Sequence, residues 1–157
     1  PMIGLDIGAF ELTEARRLVE AEAAALAALA ITDAEIATLE RLIGEMEREN
    51  QAHVSGEHAD REFHLTIARA TRNPHFPSFL EAVFREINFD LLLKHRQPAP
   101  AARNYLRKIN KEHAAILAAI TQGDAKAARN ALAAHLEESL NRYRALLDEP
   151  ASEAATE

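Results

Sequence analysis

The chain has 157 residues, the size of one domain, with 25 acidic against 18 basic residues and a formal charge of −7. A net negative chain without a Lys/Arg-rich run is excluded as a phosphate grip in its own right, because nucleic-acid affinity comes from clustered cations. The absence of cysteine excludes disulfides, thiolate nucleophiles and Cys-ligated metal sites. No stretch reaches the ~18 apolar residues that suggest a membrane span, since Ala21 to Ile31 is Ala-dominated and interrupted by Glu22. A basic n-region followed by an apolar stretch is also missing, so the expectation is a cytoplasmic protein with no membrane partner.

Ala, Leu, Glu and Arg dominate, and these residues lose little freedom in a helix. Residues 1–10 hold two glycines and no periodic pattern, and read as a linker remnant. The first helix is predicted from about Leu12 to Ala30, with Leu12, Val19 and Leu26 spaced by sevens and Ala23 completing the seam. Thr32 and Glu35 form a capping-box signature that opens a second helix to about Val54. A third follows Ser55-Gly56, carries Phe63, Ile67 and Ala70, and ends at Asn73-Pro74. The fourth, from Pro77 to His95, is the most apolar and is expected to be central. The fifth covers about Ala102 to Thr121 and is closed by Gly123, after which Asp124 caps a sixth that reaches Leu147. Residues 149–157 read as a flexible tail. No strand-like alternation or hairpin signal appears, and the short connectors favour antiparallel neighbours. The predicted fold is an all-α antiparallel bundle of six helices.

Seven histidines are the first place to look for chemistry. His53 and His58 flank the Ser55-Gly56 break and His75 sits between two prolines, so all three read as solvated, while His95 suits a helix C-terminus. The other three fall on apolar seams. His64 lies four residues after Asp60, one turn along the same helix face. His113 is in line with Ile109, Ile116 and Ile120, and His135 with Ala128, Leu132 and Ser139. A single inward histidine is most simply a hydrogen-bonded core residue. Three imidazoles and a carboxylate in one small core are harder to satisfy, because each unpaired polar group costs about 1–3 kcal/mol, and a shared metal satisfies all four. Three nitrogens and one oxygen suit Zn or Ni, with Mn or Fe also compatible, better than Mg or Ca. Arg16 falls between Leu12 and Val19, where it either pairs structurally with a glutamate such as Glu20 or holds a ligand carboxylate.

Glu14-Ala15-Arg16-Arg17-Leu18-Val19-Glu20, then Asp60-Arg61-Glu62-Phe63-His64 with Ile67-Ala68 and Asn73, then Glu112-His113 with Ile116 and Ala119-Ile120, Gly123-Asp124, Ala127-Ala128 and His135-Leu136, carry a resemblance. From about Phe10 to Leu147 the chain resembles the FCD effector-binding domain of FadR-branch GntR transcription regulators, in its VanR-like subgroup. The resemblance implies that residues 11–148 form an effector-binding and dimerisation domain, a homodimer with Asp60, His64, His113 and His135 binding a divalent metal at the floor of a central pocket. It implies a small carboxylate effector, an organic acid or sugar acid, rather than an acyl-CoA. Arg16 and Ser139 are its candidate effector contacts. The family's N-terminal winged helix-turn-helix has no counterpart here, so DNA would be reached only through that missing part.

Two other readings compete. A metalloenzyme acting on a small organic acid would use an open-coordinated ion to activate water, yet no His-Glu-x-x-His motif is present, and Glu112 points about 100° away from His113 around its helix, a poor position for a general base. A dimerisation module with buried histidines is the third. The expectation is that the chain is not an enzyme.

Overall fold

The computed structural model describes residues 2–52, 57–86 and 99–148. Among them are six helices and no strand: α1 (Met2–Ala30), α2 (Asp33–Gln51), α3 (Glu57–Ala70), α4 (His75–Glu86), α5 (Ala99–Thr121) and α6 (Ala125–Asp148).

The joints follow from side chains that satisfy the backbone groups left over at helix ends. At the start of α2 the Thr32 hydroxyl accepts the Glu35 N–H at 3.2 Å, and the Glu35 carboxylate accepts the Thr32 N–H at 3.1 Å. This is the predicted capping box. Asn73 accepts the His75 N–H at 3.0 Å and so starts α4 two residues before Pro77, whose missing N–H is no loss in a first turn. Between α5 and α6 the Gly123 N–H reaches the Ile120 carbonyl and the Asp124 N–H the Ala119 carbonyl, a Schellman closure with Gly123 at φ 68°. The Asp124 side chain then accepts the Ala127 N–H at 3.0 Å and caps α6.

Several boundaries differ from the sequence reading, among them the end of α2, at Gln51 rather than about Val54, and the start of α4, at His75 rather than Pro77. α1 begins at Met2 rather than near Leu12, because Gly4 and Gly8 lower the propensity by about 1 kcal/mol each without ending the helix. α3 stops at Ala70, short of Asn73, since Arg72 takes φ 63°. Its guanidinium offsets that strain by bonding Glu35 at 2.5 and 3.0 Å and the Ala30 carbonyl at 3.3 Å. The α5 start moves from Ala102 to Ala99. The Ser55-Gly56 break, the second half of the predicted fourth helix from Ile87 to His95, and the tail lie outside the described residues.

Helix directions follow from the ion pairs. Arg17 meets Glu137 and Glu22 meets Arg129, so α1 and α6 run antiparallel. Lys108 faces Glu138 and Glu112 faces His135, so α5 and α6 do the same. Of the seam predicted for α1, Ala23 is buried, Leu12 and Val19 are half-buried and Leu26 is exposed, and the buried face is completed by Ala24, Ala27 and Ala28. Small residues let the backbone of α1 approach its neighbours closely, which a leucine face would prevent. The main core joins Ala24 and Ala27 to Leu39, Leu42, Phe63, Ile67, Ile116, Ile120 and Leu132. A second cluster of Leu65, Ala68, Leu80 and Phe84 seats α4 on α3, so the described part of the fourth helix is a flank rather than the centre.

Leu39 is fully buried in the main core, so Leu39→Ala should cost about 2–5 kcal/mol. Gly123→Ala meets only ordinary contact, Ala28 O at 3.6 Å, so its cost should be the left-handed backbone alone, about 1–2 kcal/mol. Urea unfolding of the two variants measures both.

Candidate metal centre

Asp60 and His64 project from one face of α3, His113 comes from α5 and His135 from α6. The fold brings all four together: one ligand atom from each lies within 4.8 Å of the others. Ring centroids are 5.5 Å apart for His64 and His113, 5.4 Å for His64 and His135, and 4.6 Å for His113 and His135. The three histidines are buried, and Asp60, with its side chain 32% exposed, is the member that reaches solvent. Phe63 walls the cluster, its ring 4.7 Å from His113, and the Phe84 ring lies 6.4 Å from His64.

Two histidines are held from behind. His64 Nδ1 lies 2.5 Å from Glu20 Oε1, and Arg16 Nε donates to Glu20 Oε2 at 2.6 Å. His135 Nδ1 lies 2.7 Å from Glu112 Oε1, and Arg142 grips the same carboxylate at 2.7 and 3.1 Å. The forward nitrogens are different. His64 Nε2 and His113 Nε2 stand 3.5 and 3.0 Å from Asp60 Oδ1, yet both are buried without an aligned hydrogen-bond partner, as is His113 Nδ1.

Charge follows the same geometry. Burial alone would raise the Asp60 carboxyl, but the His113 and His64 imidazoles beside it outweigh that and hold it well below its usual range. Burial also opposes ionisation of Glu20, and Arg16 with His64 overcomes it, leaving the carboxyl lowered. For His64, burial favours the neutral ring, but Glu20 and Asp60 reverse the balance and lift it to about 9. His113 is lowered by burial despite Asp60, and His135 is lowered further by burial and by its two neighbouring imidazoles. Glu112 is raised by burial against the pull of Arg142.

A divalent ion fits this arrangement on the structure's own terms. Donors at about 2.1 Å from one ion lie at most about 4.2 Å apart, so the 4.8 Å span closes with shifts of a few tenths of an ångström. Buried nitrogens that sit near a carboxylate oxygen without bonding to it are placed for a shared cation.

The remaining predicted residues are also located. Arg16 is buried, ion-paired with Glu20, and its guanidinium carbon lies 4.8 Å from the Phe84 ring centre. Ser139 is half-buried and its hydroxyl donates to the His135 carbonyl at 3.2 Å. His58 and His75 are exposed, while His53 and His95 lie outside the described residues. Sequence reasoning missed two site residues. Glu20 was legible only as a pairing option for Arg16. Glu112 does point away from His113, as its place on the helix requires, but that direction is toward His135 on α6, a contact that helix geometry within α5 does not reveal.

The fold and the Asp-His-His-His constellation define an all-helical domain with a candidate metal centre. The FCD domain family model matches residues 11–138, and the chain belongs to that family, the helical domain of GntR-family transcription regulators. It is 36% identical over 140 residues to the Uxu operon transcriptional regulator of Escherichia coli K12, covering 84% of this chain and 52% of that protein. It is 31% identical over 135 residues to the Uxu operon regulator of Haemophilus influenzae, covering 84% and 50%. The chain thus spans about half the length of these curated relatives. Among solved structures, Streptococcus agalactiae GntR matches with a TM-score of 0.71 at 25% identity, covering 87% of this chain and 60% of that one. Escherichia coli McbR/YncC shares the fold, with a TM-score of 0.76 at 19% identity over 88% and 65%. The two curated relatives are named as operon regulators. No helix among the described residues is long and apolar enough to cross a membrane.

Metal analysis of the purified chain should return about one divalent ion per chain. Asp60→Ala or His113→Ala should abolish uptake, and His58→Ala, an exposed histidine outside the cluster, should leave it intact.

Proposed function

We propose that residues 11–148 sense a small carboxylate, an organic acid or sugar acid, through a divalent ion held by Asp60, His64, His113 and His135. The observation that supports this reading is the convergence of four donors, two of which, His64 and His113, keep a buried Nε2 with no aligned partner among the described residues. Zinc or nickel suits three imidazoles and one carboxylate best, with manganese or iron also compatible, and the set is the one implied by the VanR-like resemblance. An ion bound there supplies a Lewis-acid seat for one carboxylate oxygen of the effector. The protein's own groups do the rest. Asp60 is the ligand that reaches solvent, so an effector approaches on its side. Arg16, committed to Glu20, braces the site from behind. Ser139 keeps hydroxyl lone pairs for an effector hydroxyl while its proton goes to the His135 carbonyl.

The whole protein, on this proposal, is a cytoplasmic homodimeric regulator that meets DNA through an N-terminal winged helix-turn-helix, and the operon role of the relatives carries over in that general form. Effector binding changes DNA affinity only if it favours one arrangement of the dimer, by about 1–3 kcal/mol of coupling, and DNA then changes effector affinity by the same factor.

Thermal melting tests the reading. A panel of mono- and dicarboxylic acids, hydroxy acids and sugar acids is added to metal-loaded and chelator-treated protein. At least one acid should raise the melting temperature of the loaded protein and leave the stripped protein unmoved. An acid that stabilises both equally, or a chelator that leaves the melt unchanged, contradicts metal-dependent sensing. Size exclusion with light scattering checks the homodimer.

A further inference from the structure

We propose that Glu20 and Glu112 are positioning residues for the metal centre, each fixing one histidine with its proton on Nδ1 so that Nε2 faces the ion, and each held in place by its own arginine. The inference rests on the metal reading above and extends it to groups behind the four ligands.

The argument begins with valence. A neutral imidazole carries one N–H, and an ionised carboxylate only accepts. Glu20 Oε1 lies 2.5 Å from His64 Nδ1, and Glu112 Oε1 lies 2.7 Å from His135 Nδ1, so the proton of each neutral ring is drawn to the back nitrogen and the lone pair to the front. For His64 the front nitrogen is the one facing Asp60. A ring in the opposite tautomer would present an N–H to the cation and could not ligate it without first turning over, which burial on all sides opposes.

The arginines complete each device. Arg16 Nε takes the other oxygen of Glu20 at 2.6 Å, with both side chains under 5% exposed. Arg142 binds Glu112 through two nitrogens. A carboxylate held on both sides cannot swing away from its histidine, and fork-shaped guanidinium pairing fixes its plane as well as its place. The two relays arise on separate parts of the fold: Glu20 reaches from α1 to α3, and Glu112 from α5 to α6. That the same imidazole–carboxylate–arginine order occurs twice, around one cluster, is difficult to attribute to packing alone.

His113 supplies the internal contrast. Its Nδ1 has no hydrogen-bond partner, and its ring is set by Phe63 at 4.7 Å. The centre is therefore asymmetric, with two ligands oriented by charge and one by packing. Carboxylates behind metal-bound imidazoles also raise ligand basicity, and losing one typically weakens metal binding by about 10–100-fold.

The test uses the chain stripped with chelator and titrated with zinc against a chromophoric competitor, for the parent, Glu20→Gln, Glu112→Gln and, as control, Glu137→Gln, whose carboxylate pairs with Arg17 away from the cluster. Long-range nitrogen–proton NMR of the imidazoles in the stripped protein, recorded above the pH of about 9 at which the His64 ring becomes neutral, reads the tautomers directly. The expected result is the Nδ1–H form at His64 and His135 in the parent. Zinc affinity should fall about 10–100-fold in Glu20→Gln and in Glu112→Gln, and stay unchanged in Glu137→Gln. If the Glu20 variant fails to fold, Glu112→Gln, at a less buried position, and the parent NMR still decide. Unchanged zinc affinity in folded variants, or Nε2–H rings in the parent, overturns the positioning role while leaving the metal site standing. A parent that takes up no divalent ion overturns the metal reading itself.

Discussion

The constraint that organises this domain is the burial of three imidazoles beside one half-buried carboxylate where α3, α5 and α6 meet. An unpaired polar group in a core costs about 1–3 kcal/mol, so a small bundle that places several of them together needs specific partners at fixed distances. Glu20 and Glu112 are those partners at the back, and each is in turn neutralised by an arginine. The unpaired His64 Nε2 and His113 Nε2 face forward, toward Asp60. The polar centre thus has a fixed rear and an available front, and the helices have to be set in register to within hydrogen-bond tolerance for both to exist.

That requirement explains the character of α1. Glu20 must come within hydrogen-bond distance of a ring on α3 while its helix also lies against α6, and the short alanine side chains at 23, 24, 27 and 28 permit such close backbone approach. The leucines of α1 that are not needed for packing lie outside, with Leu18 67% and Leu29 72% exposed. At the far end of the helix, the Arg72 clasp on Glu35 and Ala30 ties the α1–α2 corner to the end of α3. The same two helices, α1 and α3, are therefore joined at Ala30 by a solvent-exposed clasp and at Glu20 by a buried one.

Much of this was readable in order along the chain. The capping box at Thr32, the Gly123-Asp124 joint and the all-helical class follow from local chemistry, since caps and closures involve residues three to five positions apart. The pairing of Asp60 with His64 is likewise a one-turn relation. The ends of α1, α3 and α5 were misplaced by three to ten residues, because weak formers such as Gly4 and Gly8 are carried along by a helix that other segments stabilise, and because Arg72 adopts a backbone shape that only its distant ion pair makes affordable. The α1 seam was misassigned for a related reason. Leu12, Val19 and Leu26 at a spacing of seven look like a core stripe, whereas the surface that closes on neighbouring helices is the alanine one, of which only Ala23 belonged to the predicted seam.

By itself, then, the sequence determined the helical class, most joints and the inward placement of His64, His113, His135 and Arg16, because periodicity and capping are local properties of the chain. Only the tertiary structure decided that these histidines, 71 positions apart at the extremes, share one centre, that Glu20 reaches His64 as well as Arg16, and that Glu112 belongs to His135. Those facts depend on how helices cross and rotate against each other, which is set by the summed packing of many side chains and leaves no short-range mark in the sequence.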